Sequence, residues 1–235
     1  MIVLSFALPE ESKGVVRHIA GATRSGPATL PVIVGTLAGR QVVVIHTGMG
    51  MDSAAGRVES LLDGHTPSLW IAAGFGGALS PDLKIGDIVA AGNFSDPGLL
   101  AAIADITVFP ARTGSLVTVK EVIETAQAKK DLGRHTGAIV VDMETAAVHR
   151  LCTARGIPML ALRAVSDTAC QDVPVPAAVW FDTQRQRPRP LALVLYLATH
   201  PGRIGPFARF VRGVKLAGAS LATFLLAALP ALPEK

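Results

Sequence analysis

Cysteine is nearly missing from this 235-residue chain: Cys152 and Cys170 are its only two, in no metal-ligand spacing. That excludes a disulfide scaffold and a thiolate zinc site, and reduced thiols in a cytoplasmic setting are the expectation. Aromatic residues are scarce at 5%, so stacking platforms for single-stranded nucleic acid have little to be built from, and no nucleic-acid-binding motif is present. Charged residues reach only 17% while half the chain is hydrophobic, which excludes disorder. The opening MIVLSFALPEE lacks a basic flank and meets Glu10 and Glu11 almost at once, so it reads as a first strand rather than a signal peptide.

What the chain does have is Ala, Val, Leu and Ile in excess, together with 23 glycines. That mix suits buried parallel strands alternating with Ala-rich helices. An apolar run over Ile2–Ala7 stops at Pro9, and a helix is expected over Glu10–Ala20. Val32–Leu37 and Gln41–Thr47 bracket Ala38-Gly39-Arg40 as a hairpin would. Ser53–Leu62 has helical spacing, Ser68–Ala73 and Met159–Val165 read as buried strands, and Glu144–Arg155 as a helix closed by Gly156 and Pro158. Residues 92–113 look irregular, and 190–230 mostly helical with a break near Pro201-Gly202. One mainly parallel α/β domain over 1–235, with 190–235 as a helical C-terminal extension, is the organisation these patterns imply.

Three features put small or acidic residues where an apolar run ends, which is where open α/β sheets bind ligands. In Thr47-Gly48-Met49-Gly50 the two glycines allow close backbone approach, and the helix start that follows favours an anion or polar oxygen. An ordinary tight turn would look the same. Gly74-Phe75-Gly76-Gly77 follows the strand Ser68–Ala73 but lacks the spacing of a dinucleotide fingerprint, which argues against a nicotinamide-dependent oxidoreductase. The third feature is a pair, Asp142-Met143-Glu144 after Val141 and Ser166-Asp167 after Val165. Carboxylates there are costly to bury unless paired or used. Helix or turn capping would explain each singly, but all three beside two glycine loops make capping alone the poorer account.

In order, Glu10-Glu11, HTGMGMDSAA (46–55), AAGFGGALSPDLKIGDIV (72–89), VVDMETAAV (140–148) and LRAVSDTA (162–169) resemble the nucleoside phosphorylase and nucleosidase superfamily. That superfamily includes purine nucleoside phosphorylase and methylthioadenosine/adenosylhomocysteine nucleosidase. Within it the nearest likeness is to the hopanoid-associated phosphorylase (adenosylhopane nucleosidase) branch, through the D-M-E motif, the short stretch 92–137 and the tail from Val173. The resemblance implies a three-layer α/β/α fold around a mixed, mostly parallel twisted sheet, a homo-oligomer, and cleavage of the N-glycosidic bond of a purine nucleoside. It implies no cofactor and no metal, and leaves phosphate open as a co-substrate.

Residue by residue, Asp167 resembles the general acid at the purine N7, and Ser166 completes its motif. Glu144 resembles the carboxylate that accepts from the ribose 2′-hydroxyl, with Met143 packed on the sugar. Glu11 resembles the acid that orients and deprotonates water. Gly48 and Gly50 match the loop bordering the nucleophile; Gly74, Phe75 and Gly76 match the loop beside sugar and base. These types suit an oxocarbenium-like transition state, positive on the sugar and negative on the leaving purine. To donate near neutrality, Asp167 needs a pKa well above the usual value of about 3.9, through burial or a nearby carboxylate. Two departures lean toward water as the nucleophile. No D-P-x-R motif for phosphate is present, and Phe75 stands where a small polar residue is usual. No aromatic near Glu121–Ile123 matches the one that stacks on the base in methylthioadenosine nucleosidase, which makes that substrate the lesser expectation.

Residues 184–215 hold seven arginines and lysines and no acid, and Leu216–Leu229 is then almost wholly apolar but, at fourteen residues, short of the roughly 20 a bilayer span needs. A core or interface helix is one reading; the other is peripheral contact of 203–230 with an anionic inner membrane face, suited to a lipid-linked nucleoside. Beside the enzyme stands one further reading, a nucleoside-binding protein without catalysis.

Overall fold

The computed structural model describes residues 1–107 and 109–233. Its elements are β1 (Ile2–Phe6), α1 (Pro9–Val16), β2 (Ala20–Ser25), β3 (Val32–Leu37), β4 (Arg40–His46), α2 (Met51–Leu62), β5 (Leu69–Ala78) and β6 (Ile88–Ala91). Then follow α3 (Pro97–Ala104), β7 (Ala111–Gly114), β8 (Leu116–Thr118), α4 (Ala126–Thr136), β9 (Val140–Asp142), α5 (Thr145–Ala154) and β10 (Met159–Asp167). The chain continues with α6 (Ala177–Trp180), the short hairpin β11 (Phe181–Asp182) and β12 (Arg187–Pro188), α7 (Pro190–Thr199), a 3-10 turn at Pro201–Arg203, and α8 (Ile204–Ala231).

The main sheet runs β2-β3-β4-β1-β5-β10-β6-β7, with β8 and β9 branching from β5. Its centre, β4-β1-β5-β10, is parallel throughout, and antiparallel pairs enter at β2-β3-β4, at β10-β6 and at β5-β9. One face buries Leu4, Phe6, Leu160 and Leu162 against Val15 of α1 and Leu221, Phe224 and Leu225 of α8. The other buries Val3, Ile45 and Trp70 against Ala54 and Val58 of α2 and Val148 and Cys152 of α5. This is the three-layer α/β/α sandwich expected, with a mixed, mostly parallel sheet between helical layers.

The hairpin between β3 and β4 turns on Ala38 and Gly39, with φ of 47° and 79°, the paired positive values of a two-residue turn. Elsewhere the expectations need correction. The first helix ends at Val16 rather than Ala20, and the next residues form β2, a wholly exposed edge strand without alternating hydrophobicity. The stretch 92–113, expected to be irregular, contains α3 and most of β7. Asp96 caps α3 by accepting from the Gly98 and Leu99 N–H groups, with Pro97 in the first turn, a legible start signal.

The largest correction concerns the C-terminal region. By length and composition Pro201–Ala231 would pass for a membrane span. Yet Ala217, Leu221, Phe224, Leu225, Ala228 and Leu229 are all fully buried against the sheet and α1. Contact is close: a Cβ on Gly14 of α1 would meet the Ala222 Cβ at 3.0 Å and the Gly218 carbonyl at 3.1 Å. Arg40 then donates to the carbonyls of Leu229 and Leu232 (3.1 and 2.9 Å), satisfying acceptors that the end of α8 leaves free. From Gly213 onward one face of α8 is therefore part of the core.

Candidate active site at the strand ends

The parallel strands β4, β1 and β5 deliver their carboxyl ends to one edge of the sheet. Beyond β1, the N–H groups of Ala7 and Leu8 donate to Glu11 Oε2 (2.7 and 3.1 Å), and Phe75 N–H donates to Oε1 (2.8 Å). Glu11 thus closes the first turn of α1 and ties it to β5. Burial raises its pKa above the usual carboxylate value, opposed by these backbone donors and by Arg163.

Glu144 stands immediately before α5 but does not cap it; its Oε1 accepts the Gly50 N–H at 2.7 Å. Asp142 does the capping, accepting from Thr145 N–H at 3.0 Å and from its hydroxyl at 2.5 Å. Burial, and after it the charge of Asp142, push the Glu144 pKa up to about 8, against the pull of the Gly50 N–H. Asp142 is itself ionically paired with Arg163, a buried cation inside β10. All five N–H donors of Arg163 are spent on the protein: Nε and Nη2 on Asp142 (3.0 and 2.6 Å), Nη2 on the Thr145 hydroxyl (2.6 Å), Nη1 on the Ala72 and Leu162 carbonyls (2.9 and 2.8 Å).

Glu11, Glu144 and Arg163, with Thr47 and Gly74, line a cavity of about 10 Å³, room for one water molecule. Gly48 and Gly50, which follow Thr47 and are not in the cavity lining, have φ of 77° and 91°, a conformation that suits glycine. Against Gly48 and Met49 lies Gln186, in the β11–β12 hairpin. Its amide accepts from Met49 N–H (2.7 Å) and donates to Met49 O (2.9 Å), pairing with one residue as a neighbouring strand would.

Asp167 is not among the residues lining this cavity. It ends β10 opposite Gly77, next to the β5–β9 pairing that precedes Glu144, so the two acids come from adjoining strand ends. Its Oδ1 accepts the Ser166 hydroxyl at 2.6 Å, and its Oδ2 is paired with the ammonium of Lys129. Lys129 projects from α4, is 1% exposed, and also donates to the Thr168 and Gln171 carbonyls (3.1 and 2.8 Å). Burial or a nearby carboxylate was expected to act on Asp167; the charged neighbour present is the cation Lys129.

Phe75 also differs from expectation. It contributes its N–H, while its ring turns to α8, 3.5 Å from where a Gly218 Cβ would lie. Met143 is half-buried and outside the cavity lining. Gly76 is pressed between strands, since a Cβ there would sit 2.7 Å from Val140. The structure thus gathers Glu11, Glu144, Gly50 and Gly74, and puts Asp167 and Ser166 at the adjoining strand end. Three residues were not singled out from sequence: Arg163, Lys129 and Gln186. A lone arginine within MLALRAVSD was the available signal for the first, since it demands a buried acid. Among the described residues, no group of three or more His, Cys, Asp or Glu could hold a metal.

A family profile described as "Phosphorylase superfamily" matches residues 1–99 and 90–195. The 5′-methylthioadenosine/S-adenosylhomocysteine nucleosidase of Shewanella sp. (strain W3-18-1) is 27% identical over 204 residues, covering 72% of this chain and 86% of the relative. The enzyme of the same name from Anoxybacillus flavithermus is 27% identical over 198 residues, covering 72% and 85%. Among solved structures, the S. pneumoniae nucleosidase of this kind superposes with a TM-score of 0.75 at 22% identity, covering 99% of both chains. A futalosine hydrolase mutant of Helicobacter pylori gives 0.75 at 16% identity, covering 98% of this chain and 99% of that one. These two structural likenesses speak to the fold.

Proposed function

This chain belongs to the phosphorylase superfamily, and from that premise we propose that it cleaves the N-glycosidic bond of an adenine nucleoside with water as the nucleophile. The observation that carries the choice of water is the cavity between Glu11, Glu144 and Arg163. It has room for one water, and the cation on its wall has no N–H left to offer a phosphate.

In this reading Glu11, fixed by three backbone donors, accepts the proton of the attacking water. Glu144 holds the ribose 2′-hydroxyl and, in its ionised form, stabilises the developing cation on the sugar. Asp167 shares a proton with the purine N7 as the base leaves, that proton being drawn from the ammonium of Lys129 bonded to its Oδ2. Met143 and the Gly74–Gly76 backbone border the sugar and base. Acid, base and electrostatics suffice for this bond, so the reaction calls on no cofactor. The finer reading is of a nucleoside whose 5′ carbon carries a hydrophobic group, adenosylhopane among them, handled by a cytoplasmic homo-oligomer that meets the inner membrane face. The D-M-E motif and the tail from Val173 support it.

Incubation with a panel of 5′-substituted adenosines, with and without phosphate, tests the chemistry. Adenine and a free sugar should form at rates indifferent to phosphate. A sugar 1-phosphate product would overturn the choice of water, and no adenine from any nucleoside would overturn the enzymatic reading.

A further inference from the structure

Helix α7, PLALVLYLAT, contains no charged side chain and no buried residue. Leu191, Val194 and Leu195 fall three and four residues apart, hence on one stripe, and are 71%, 62% and 59% exposed. A helix apolar on every side normally lies inside a protein. This one does not. Ile204, at the start of α8, is also exposed.

From Thr183 to Pro233 the charge is of one sign, with Asp182 beside Arg185 and Arg187 as the acid just before it. Arg185, Arg187 and Arg189 precede it, Arg203, Arg209, Arg212 and Lys215 follow it, and all seven are exposed. No acid occurs between Thr183 and Pro233. At the elbow between α7 and α8, His200, Gly202, Arg203 and Pro206 line an open recess of about 430 Å³.

We propose that α7, the turn after it and the exposed first turns of α8 dock on an anionic lipid surface. The leucine and valine stripe enters the acyl boundary, and the flanking arginines meet phosphate headgroups. An exposed apolar stripe joined to clustered cations is the combination interfacial helices use. A second copy of this chain is the poorer occupant, because a two-fold contact would press the arginine-rich patch against itself. The region differs from the 203–230 expected from sequence: the apolar half of α8 stays in the core, and the docking helix is the shorter one before it. The inference does not depend on which bond the site cleaves.

The test is flotation of the full-length protein with phosphatidylcholine vesicles, with and without added phosphatidylglycerol. Wild type should float with the anionic vesicles only, and added salt should release it. Leu191→Glu/Leu195→Glu and, separately, Arg203→Glu/Arg209→Glu should each lower the bound fraction by about tenfold or more. Both variants should keep the wild-type thermal midpoint, since every substituted side chain is exposed. Absence of flotation, equal flotation with neutral vesicles, or unchanged flotation of both variants would overturn the proposal. So would light scattering that shows a wild-type dimer, broken by the leucine substitutions, in a protein that binds no vesicle.

Discussion

Two acid–cation pairs sit at adjoining strand ends and are built differently. Asp142 and Arg163 lie sealed inside the fold, with both Asp142 oxygens and all five guanidinium N–H groups bonded to protein. Asp167 and Lys129 are sealed on one side only: the lysine is engulfed, whereas the aspartate side chain keeps 13% of its surface open. The first pair has nothing left to offer a ligand and serves as a fixed charge behind Glu144. The second presents a carboxylate outward from a buried ammonium. The same sequence signal, an acid closing an apolar strand, therefore hides two jobs, and what separates them is whether the partner leaves an oxygen exposed.

Three substitutions would break or sharpen that contrast. Asp167→Asn should lower turnover by about 10²- to 10⁴-fold, the range a positioned general acid supplies, with circular dichroism unchanged. Near-normal rates would remove Asp167 from the chemistry. Asp142→Ala should act on stability instead, costing about 3–5 kcal/mol in urea unfolding, because it strands Arg163 as an unpaired buried charge. A cost under about 1 kcal/mol would mean the pair is less sealed than its bonds indicate.

The smallest effect concerns Glu144. Its pKa stands at about 8 in the fold against an ordinary 4.5, so the folded protein binds more protons than the unfolded chain between those values. Stability supplied by that proton is present in full below about 4.5 and is lost as pH rises toward 8. Thermal midpoints should accordingly fall over this range in wild type, and Glu144→Gln should flatten the fall without abolishing it, since Glu11 is shifted in the same direction. An identical pH profile in the variant would show that Glu144 titrates normally.

Much of this arrangement was legible in the residues. The LWIAA part of β5 announces itself by composition, but the strand runs on to Ala78, so Gly74-Phe75-Gly76-Gly77, expected as a loop, is strand; the Gly48–Gly50 loop and the acids at strand ends mark the edge where the candidate site lies. The rest depended on partners distant in sequence. Lys129 is an unremarkable lysine within AQAKKDLGRHT until α4 packs it beneath a strand end 38 residues later. Gln186 reaches Met49 across 137 residues. Asp142 and Glu144, two positions apart, looked interchangeable as helix caps; only the register of β9 against β5 and the reach of Arg163 decide which one caps and which faces the cavity. The apolar tail misled for a related reason, because hydropathy alone does not distinguish a helix bound for lipid from one bound for a sheet.

That helix has a consequence for synthesis. Every strand of the sheet precedes α8 in the chain, so Leu4, Leu160 and Leu162 lack much of their cover until residues near 229 are made. Burying Leu221, Phe224, Leu225 and Leu229 is worth about 1.5–3 kcal/mol apiece, comparable in sum to a domain's whole margin of stability. A nascent chain halted before Ile204 would present a bare apolar sheet face, a substrate for chaperones rather than a truncated enzyme.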